Sequence, residues 1–483
     1  MSMNKLYLTG ILLLFLTGCM TVGPDYQRPE VETPETWRFE EAEARELGDV
    51  SWWERFQDPV LNDLVEQALQ GNRDLRIATA RVEEFFGRYF ATRGDQYPFA
   101  NVGGSAYRQS VTEEGPNPIP PGADTTYSQY EAFLGGRWEI DFWGRYRRAS
   151  EAAQAELFSS EEARRTVLQT LVSVVAQTYV EIRALDKQLE ITRRTTETRR
   201  ETLELFQLRF DEGIISEVDL AQAESEYADA LARIPSLELD IGQLENALSV
   251  FLGQNPGPIP RGLTIDKLVL PQIPQGMPSD LLERRPDIRQ AEQELVAANA
   301  QIGVAKSLYF PTISLTGAFG SVSTDLSDLF SGSSKQWDYG VPVTVPIFTA
   351  GRIGGEVKGA EAFQEQALQS YLRTVQNAFR EVEDALIDRT KSGQRLEALD
   401  RQISALRKYV YLAGLRYDEG YTSYLEVLDA ERSLFNVELS YVSSQKALFR
   451  ATVDIYKTMG GNWIEAAEQT VAPAPVKEAG FFP

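Results

Sequence analysis

One uninterrupted stretch limits what this chain can fold into: residues 146–212 contain neither glycine nor proline. Apolar side chains recur along it at spacings of three and four, which is the period of one helix face. They are Leu168, Leu171, Val175, Tyr179, Ile182, Leu185 and Leu189. At about 1.5 Å per residue, the stretch predicts a helix roughly 100 Å long. No compact single domain accommodates that length, so it predicts a stave of a coiled coil or of a helical barrel.

The stretch ends in a turn that the chain makes twice, as "LRFDEGIISEVD" from position 208 and "LRYDEGYTSYLE" from position 415. Gly213 and Gly420 follow helix-forming residues, at the place where a helix end favours positive φ. Ser216 and Ser423 each precede an acid by three residues, which predicts that the hydroxyl caps a new helix and the acid reaches back. Each turn therefore predicts a tight reversal between two helices, and its recurrence predicts an internal duplication.

The duplication extends upstream of the turns. "WGR" at 143–145 matches "AGR" at 350–352, at the same offset of 207 residues as the turns. Further upstream, "DLRIATARVEEFFGRYFATRGDQYP" matches "DIRQAEQELVAANAQIGVAKSLYFP" at an offset of 213, so the first copy carries six extra residues. We assign the surplus to the Pro/Gly-rich segment 113–124. Each copy predicts a helix, a strand-bearing segment, a very long helix, a turn and a helix.

Four segments alternate with the period of two that strands show. They are "PFANVGGSAY" (98–107), "WEIDFW" (138–143), "PTISLTGAFG" (311–320) and "VPVTVPIF" (341–348). In the third, Leu315 and Phe319 share one face and Ser314 and Thr316 the other. Transmembrane strands alternate in this way, and so do the strands of a soluble sandwich. The prolines at 342 and 346 predict that the fourth strand bends or ends there.

The N-terminus predicts a processed leader. Lys5 precedes the apolar "LYLTGILLLFL", which is too short to span a bilayer as a helix. It ends in "LTGC", which resembles the bacterial lipobox, where cleavage leaves Cys19 as an acylated first residue. The alternative is an ordinary signal peptide with an incidental cysteine. Cys19 is the only cysteine of the chain, which favours the lipobox.

Composition excludes several classes of function. The formal net charge of −23 argues against nucleic-acid binding, which calls for a basic face. There is no histidine, which removes the most common general base and metal ligand. A glycine-rich phosphate loop is also missing from the sequence. We therefore expect no enzyme activity, no catalytic residue, no metal site and no cofactor.

The pattern divides the chain into six segments. They are a signal peptide (1–18), a lipidated N-terminal segment (19–60), a first structural repeat (61–251), an equatorial crossover (252–279), a second repeat (280–462) and a C-terminal tail (463–483).

Four further stretches carry a family resemblance together with the lipobox. They are "PSDLLERRPDIRQAE" (278–292), "FPTISLTG" (310–317), "VPIFTAGR" (345–352) and "YLEVLDAERSLF" (424–435). With them the mature chain resembles, over essentially its whole length, the outer-membrane factors of the TolC/OprM-like family, in particular the NodT-type efflux lipoproteins. None of the stretches carries the resemblance alone.

The resemblance implies a mixed α/β membrane protein, lipid-anchored and inserted in the bacterial outer membrane. The implied assembly is a homotrimer, with a 12-stranded transmembrane β-barrel continued by a 12-helix α-barrel through the periplasm. Strand counting leads the same way, because four strands cannot close a barrel with a lumen and lipid does not tolerate an open edge. Two chains would give eight strands and a filled interior, whereas three would give twelve and room for a pore.

The implied function is the exit duct of a tripartite efflux system, with a periplasmic adaptor and a proton-driven inner-membrane transporter as partners. The turns then become adaptor-docking tips, with Arg209, Asp211, Gly213 and Ser216 in the first and Arg416, Asp418, Gly420 and Ser423 in the second. Alternatives are an exit duct for type I protein secretion and a non-conducting lipoprotein scaffold. The paired strand segments argue against the scaffold, which has no use for them.

One face of the second copy diverges from the first. Leu425, Asp429 and Arg432 lie at i, i+4 and i+7 and so share one helix face, where the first copy has Val218, Gln222 and Ser225. In the family, the matching positions form the periplasmic constriction. The resemblance therefore implies a gate at Leu425, Asp429 and Arg432. The alternative is an exposed Asp–Arg pair on a helix.

Overall fold

The computed structural model describes residues 21–39, 51–112, 120, 122, 124–273, 278–461 and 463–471. Nine helices and five strands are labelled below. The helices are α1 Pro59–Gly71, α2 Arg73–Gly94, α3 Arg145–Asp211, α4 Glu217–Phe251, α5 Leu281–Arg284, α6 Pro286–Ser307, α7 Arg352–Asp418, α8 Tyr424–Thr458 and α9 Trp463–Thr470. The strands are β1 Phe99–Ser110, β2 Thr126–Glu139, β3 Thr312–Ser323, β4 Lys335–Gly340 and β5 Val343–Thr344. Among these residues, no helix combines the length and the apolarity of a membrane span.

The predicted duplication is present element by element. Helices α2 and α6 have 22 residues each, and strands β1 and β3 have 12 each. Helices α3 and α7 have 67 residues each, and α4 and α8 have 35 each. The offset is 213 residues up to β3 and 207 from α7 onward. The first copy's six extra residues therefore lie between Ser110 and Arg145.

The two long helices hold their length for different reasons. Helix α3 has no internal glycine or proline to interrupt it. Helix α7 contains five glycines, each costing about 1 kcal/mol relative to alanine. It nevertheless stays helical throughout, and Tyr371, Val375, Ala378 and Val382 along it are fully buried. Burial of an apolar stripe offsets the weak local propensity.

The strands form one antiparallel sheet in the order β1-β2-β3-β4, and β5 pairs with the start of β3. The predictions for 98–107 and 311–320 are confirmed. Two others were wrong in extent. "WEIDFW" contributes only its first two residues, because β2 begins at Thr126 and ends at Glu139. In "VPVTVPIF" only Val343 and Thr344 form a strand, and the Pro342 carbonyl accepts from the Ser314 amide at 3.1 Å without an N–H to return a bond. The prediction that this strand ends at its prolines is confirmed.

The two faces of the sheet differ in polarity. The register aligns Val102, Leu134, Phe319 and Trp337 in one row across all four long strands. Their side chains are 82%, 52%, 57% and 66% exposed. The opposite face carries polar side chains, among them Asn101, Gln129, Glu131, Arg137 and Asp338. The sheet thus presents an uncovered apolar face and a polar face.

The sheet also has two free edges in the described part of the chain. Strand β1 pairs only with β2, and β4 pairs only with β3. Each edge leaves a row of backbone donors and acceptors without a strand partner.

The chain divides into two compact units, and each unit draws on both repeats. The first comprises residues 1–30, 83–159 and 291–371, and it contains the sheet. The second comprises residues 31–82, 160–290 and 372–483. An aromatic cluster lies at the core of the second unit. Its rings, in contact at 5.4–6.1 Å between centroids, belong to Trp52, Trp53, Phe56, Phe449, Tyr456 and Trp463.

Trp463 lies at the start of α9, so residues 463–470 of the predicted tail form a helix that packs into this core. From residue 472 onward the tail lies outside the described residues.

A buried carboxylate organises the beginning of α1 in the second unit. Asp58 is 0% exposed. It accepts hydrogen bonds from the Val60 amide at 3.0 Å, the Leu263 amide at 2.9 Å and the Tyr179 hydroxyl at 2.7 Å. A side chain at Gly262 would come within 2.0 Å of the Asp58 carboxylate. The helix cap therefore also holds the crossover segment against α3.

We predict that Asp58→Ala lowers the stability of the folded protein by about 3 kcal/mol or more. The change leaves three buried donors without an acceptor, and each such loss costs about 1–3 kcal/mol. The thermal midpoint, followed by circular dichroism in detergent, measures the effect. Asp63→Ala is the control, because Asp63 is exposed on the same helix and accepts a bond from the neighbouring Gln67 side chain. Equal midpoints for the two variants would contradict the role of Asp58.

Candidate functional site

The first reversal, between α3 and α4, has the predicted cap. Gly213 has φ +72° and nothing near its Cα that excludes a side chain, so its backbone conformation rather than space requires glycine. The Asp219 amide donates to Ser216 Oγ at 3.3 Å, and the Ser216 amide donates to the Asp219 carboxylate at 3.3 Å. This reciprocal pair is a complete capping box. Asp211 is exposed and accepts a bond from Gln207 at 3.1 Å.

The second reversal, between α7 and α8, closes differently, which corrects the prediction for Ser423. Gly420 again has positive φ, +77°. Ser423 is the N-cap residue, but its side chain makes no capping bond. The acid that was expected to reach back, Glu426, is held by Arg416 at 2.6 Å and by the Thr422 hydroxyl. These two donors draw the carboxylate away from the Ser423 amide, so the second turn is fixed by an ion pair.

A hydrogen bond joins the two reversals. Arg209 Nη1 donates to the Tyr417 hydroxyl at 2.9 Å. Tyr417 aligns with Phe210 of the first copy, which has no hydroxyl to accept such a bond. Behind it lies a small apolar cluster of Phe206, Ala223, Ala413, Tyr424, Val427, Leu428 and Ala430. The reversals therefore pack together as one structure, while Asp418 remains exposed.

The predicted gate residues lie together on the exposed face of α8. Leu425 is 58% exposed. Arg432 donates to Asp429 at 3.1 Å, and the two side chains are 58% and 53% exposed. Such an exposed pair contributes only about 0.3–0.5 kcal/mol. Stability therefore does not explain why the second copy carries this charge pair.

The structure adds a buried ionic cluster that the sequence did not reveal. Arg199 of α3 is almost fully buried and binds Glu226 of α4 at 2.8 Å. Its guanidinium lies over the Phe435 ring of α8, 5.3 Å from the centroid. Burial raises the pKa of Glu431 on α8, the Arg199 charge opposes that rise, and Glu226 adds to it. The Arg199 side chain thus contacts residues of both neighbouring helices and links α3, α4 and α8.

The sequence pattern did not point to this cluster. Arg199 Nη1 donates to the carbonyl oxygen of Glu226 at 2.6 Å, and the two residues are 27 positions apart in the sequence. That separation is too long for a helical periodicity to reveal and depends on the hairpin being closed. For the separate bond between Arg209 and Tyr417 a signal existed, because the hydroxyl difference between Phe210 and Tyr417 is visible once the copies are aligned.

Two further predictions concern residues and groups beyond this region. Cys19 lies outside the described residues. No group of three or more potential ligands that could hold a metal ion occurs in the part of the chain that the structure describes.

Comparison with known proteins identifies a consistent set of relatives. A family model described as "Outer membrane efflux protein" matches residues 64–254 and 277–461. The chain is similar to the solvent efflux pump outer membrane protein SrpC of Pseudomonas putida, at 36% identity over 460 residues, 93% of this chain and 97% of the relative. It is also similar to the probable outer membrane lipoprotein SilC of Salmonella typhimurium, at 34% identity over 470 residues, 96% and 100% of the two chains.

Solved structures give the same result. The open state of the MtrE outer membrane channel of Neisseria gonorrhoeae superposes with a TM-score of 0.81 at 31% identity, over 92% of this chain and 98% of that one.

The unequal caps give a direct prediction. Ser216→Ala should weaken the start of α4 by about 1 kcal/mol, because it removes the acceptor of an otherwise unpaired helix amide. Ser423→Ala should leave the start of α8 unchanged. Hydrogen–deuterium exchange of the first-turn amides measures both effects. Thr422→Val, which removes a donor to Glu426, is the positive control for the second turn. Faster exchange at α8 in Ser423→Ala would show that both turns use the same cap.

Proposed function

Because the chain belongs to the outer membrane efflux protein family and is an outer-membrane protein, we propose that it is the exit duct of a tripartite efflux system. In this role it conducts substrates passively from a periplasmic adaptor and an inner-membrane pump across the periplasm and the outer membrane. The observation that carries the proposal is the sheet, with its exposed apolar row, its polar opposite face and its two unpaired edges.

The free edges are the argument for a homotrimer. Lipid offers no hydrogen-bond partner to backbone groups, so a sheet in the outer membrane must close. Strand β1 of one chain pairing with β4 of the next would close it. Three copies of four long strands make a twelve-stranded barrel, which is wide enough for a lumen, whereas two copies make a filled eight-stranded one. The apolar row then faces lipid and the polar face lines the channel.

The helices extend the same assembly into the periplasm. Each chain supplies two helices of 67 residues and two of 35, one of each per hairpin. If each 35-residue helix is completed to one stave by a 22-residue helix, α2 or α6, each chain gives four staves and three chains give the twelve-helix barrel that the family resemblance implies. The channel would then continue from the strands through the helices.

The reversals are proposed as the surface where the adaptor docks. They carry exposed apolar side chains at the very ends of both hairpins, Leu208, Ile214, Leu415 and Tyr421. Apolar groups at such positions serve no core of the chain itself, and exposed apolar patches mark interaction sites. Arg209 and Arg416 lie beside them but are already engaged, by Tyr417 and Glu426. We propose that these arginines fix the turns and that the apolar tips contact the adaptor.

The relatives favour small molecules as cargo. SrpC is named for solvent efflux, and other relatives at 33–36% identity are named for toluene and antibiotic efflux. This supports efflux driven by a proton-coupled transporter over protein secretion. The exposed apolar row of the sheet also disfavours a non-conducting scaffold, which would leave it in water.

Acylation of Cys19 is a further part of the proposal. The lipobox ends at this residue, and SilC is named as a lipoprotein. Each buried methylene contributes about 0.8 kcal/mol to anchoring, so several acyl chains make release negligible. We expect intact-mass analysis to show the loss of residues 1–18 and an acylated Cys19. An unmodified cysteine, or a retained leader, would rule out the anchor. Cys19→Ala behind a cleavable signal should still give trimers, because the barrel inserts by its own apolar band.

The gate is tested by conductance. In a trimer, three Asp429 carboxylates would meet around the axis, and like charges at close range repel unless Arg432 or cations offset them. Asp429→Ala with Arg432→Ala should therefore raise the single-channel conductance of purified trimers in a planar bilayer by about twofold or more, since it widens the narrowest ring. Gln222→Ala with Ser225→Ala, the aligned pair of the first copy, should leave it unchanged. Equal conductance of wild type and the Asp429/Arg432 variant would reduce the pair to an exposed helix contact.

A further inference from the structure

A groove lined by residues of α3 and α6 holds the N-terminal segment that begins at Thr21. Residues Thr21–Asp25 run between the beginning of α3 and the middle of α6, and all three segments belong to the first compact unit. This segment forms backbone and side-chain hydrogen bonds with both helices and with Trp143, shortly before α3.

A tryptophan ties this segment to the sheet. The Val22 amide donates to the Trp143 carbonyl at 3.0 Å. The Trp143 indole N–H donates to the Pro311 carbonyl at 2.7 Å, and its ring stacks on Phe310 at 4.6 Å. Pro311 directly precedes β3. The N-terminal segment is therefore bonded to Trp143, and Trp143 is bonded to the residue just before a strand.

A buried arginine of α3 binds the N-terminal segment. The Arg148 side chain is 4% exposed and binds the Asp25 carboxylate at 2.6 Å. It also donates to the Val22 and Gly23 carbonyls, at 3.4 Å each, and to Glu151 at 2.8 Å. A buried cation needs its donors satisfied. Arg148 therefore depends on the N-terminal segment as much as the segment depends on Arg148.

The opposite wall of the groove is shaped for close backbone approach. A Cβ at Gly303 of α6 would lie 2.7 Å from the Val22 carbonyl oxygen and 2.8 Å from Arg148 Cγ. Gly23 faces it with φ +102°, which disfavours any other residue. One turn earlier on α6, the Asn299 amide donates to the Pro24 carbonyl at 3.0 Å. Only glycine at both positions permits this packing.

The duplication shows that the groove is specific to one copy. Where the first copy has Trp143 and Arg148, the second has Ala350 and Gly355. Where α6 has Asn299 and Gly303, the aligned positions of α2 are Phe86 and Phe90, whose rings contact each other at 4.7 Å. The chain has one N-terminus, and in the described residues the aligned side chains of the other copy do not reproduce this groove. A site that binds one segment is needed in one copy alone, and the two copies accordingly differ at all four aligned positions.

We propose that this groove is a clamp that fixes where the lipid anchor enters the membrane, with Arg148 as its positioning residue. Thr21 is in contact with Gly144, immediately before α3. Two residues span at most about 7 Å, so acyl chains on Cys19 begin within that distance of the junction between sheet and helices. They would enter the leaflet beside the strands rather than on a free tether. The inference rests on the proposed acylation of Cys19.

Hydrogen–deuterium exchange of the purified, acylated trimer tests the clamp. Arg148→Gly installs the residue of the second copy and should speed exchange of the amides of residues 22, 23, 25 and 26 about tenfold or more, the equivalent of losing one charged hydrogen bond. Gly303→Ala should do the same by obstructing the groove. Arg352→Ala, which removes an exposed arginine at the start of α7, and Gly355→Ala, which has nothing within 4 Å, are the matched controls. Unchanged exchange in both groove variants would overturn the clamp.

The position of the anchor needs a second measurement. An acylated Cys19 leaves no free thiol in the chain, so Thr21→Cys can carry a single fluorophore. In vesicles containing lipids brominated near the headgroup, the label should be strongly quenched with Arg148 present and less quenched with Arg148→Gly. Exchange in the Thr21→Cys protein must first match wild type. Equal quenching in both backgrounds would refute the positioning role.

Intact mass separates the two levels of the inference. A protein without acyl chains on Cys19 would remove the anchor from the proposed function, and the inference with it. An acylated protein with unchanged exchange would remove the clamp alone and leave the exit duct untouched.

Discussion

Backbone groups that face hydrocarbon have no water to bond, and the sheet of this chain has two edges where such groups are unpaired. That constraint determines the rest of the proposed assembly. The register aligns apolar residues across all four long strands, so the sheet is suited to lipid on one face. An outer-membrane sheet of this kind must close on copies of itself.

The duplication gives one chain two sets of helices that are equal in length and different in side chains. The paired helices agree in length to the residue, which the proposed helical barrel would require of helices that end at matching levels. Side chains, in contrast, have diverged wherever the copies meet different surroundings. Ser216 closes its turn with a capping box and Ser423 does not. Arg148 binds the N-terminal segment, and its counterpart Gly355 has nothing near it. The two copies therefore share the lengths of their helices and differ in the side chains at particular positions.

Buried polar groups hold the second unit at places where apolar packing alone does not specify a geometry. Asp58 joins a helix start to the crossover segment through three donors. Arg199 joins α3, α4 and α8 through Glu226 and the Phe435 ring. Both groups lose much of their hydration on burial, so they tolerate few alternative arrangements. A change in the relative position of these helices would have to break such contacts. A movement near the reversals would therefore disturb the surroundings of Arg199 and Glu431.

The sequence by itself determined the duplication, the lengths of the helices, the two glycine turns and the family, because these depend on local periodicity, on φ preferences and on motifs within short windows. It predicted β1 and β3 from alternation, but it reached only the last two residues of β2, because aromatic side chains such as Tyr130 and Phe133 lie on both faces of that strand. Only the tertiary structure decided that Glu426 binds Arg416 and Thr422 rather than the Ser423 amide, and that Arg148 encloses residues 22–25. Those outcomes depend on which donors lie closest in space. Residues separated by 10 and by 123 positions come together through the folding of the whole chain, and no local pattern encodes that proximity.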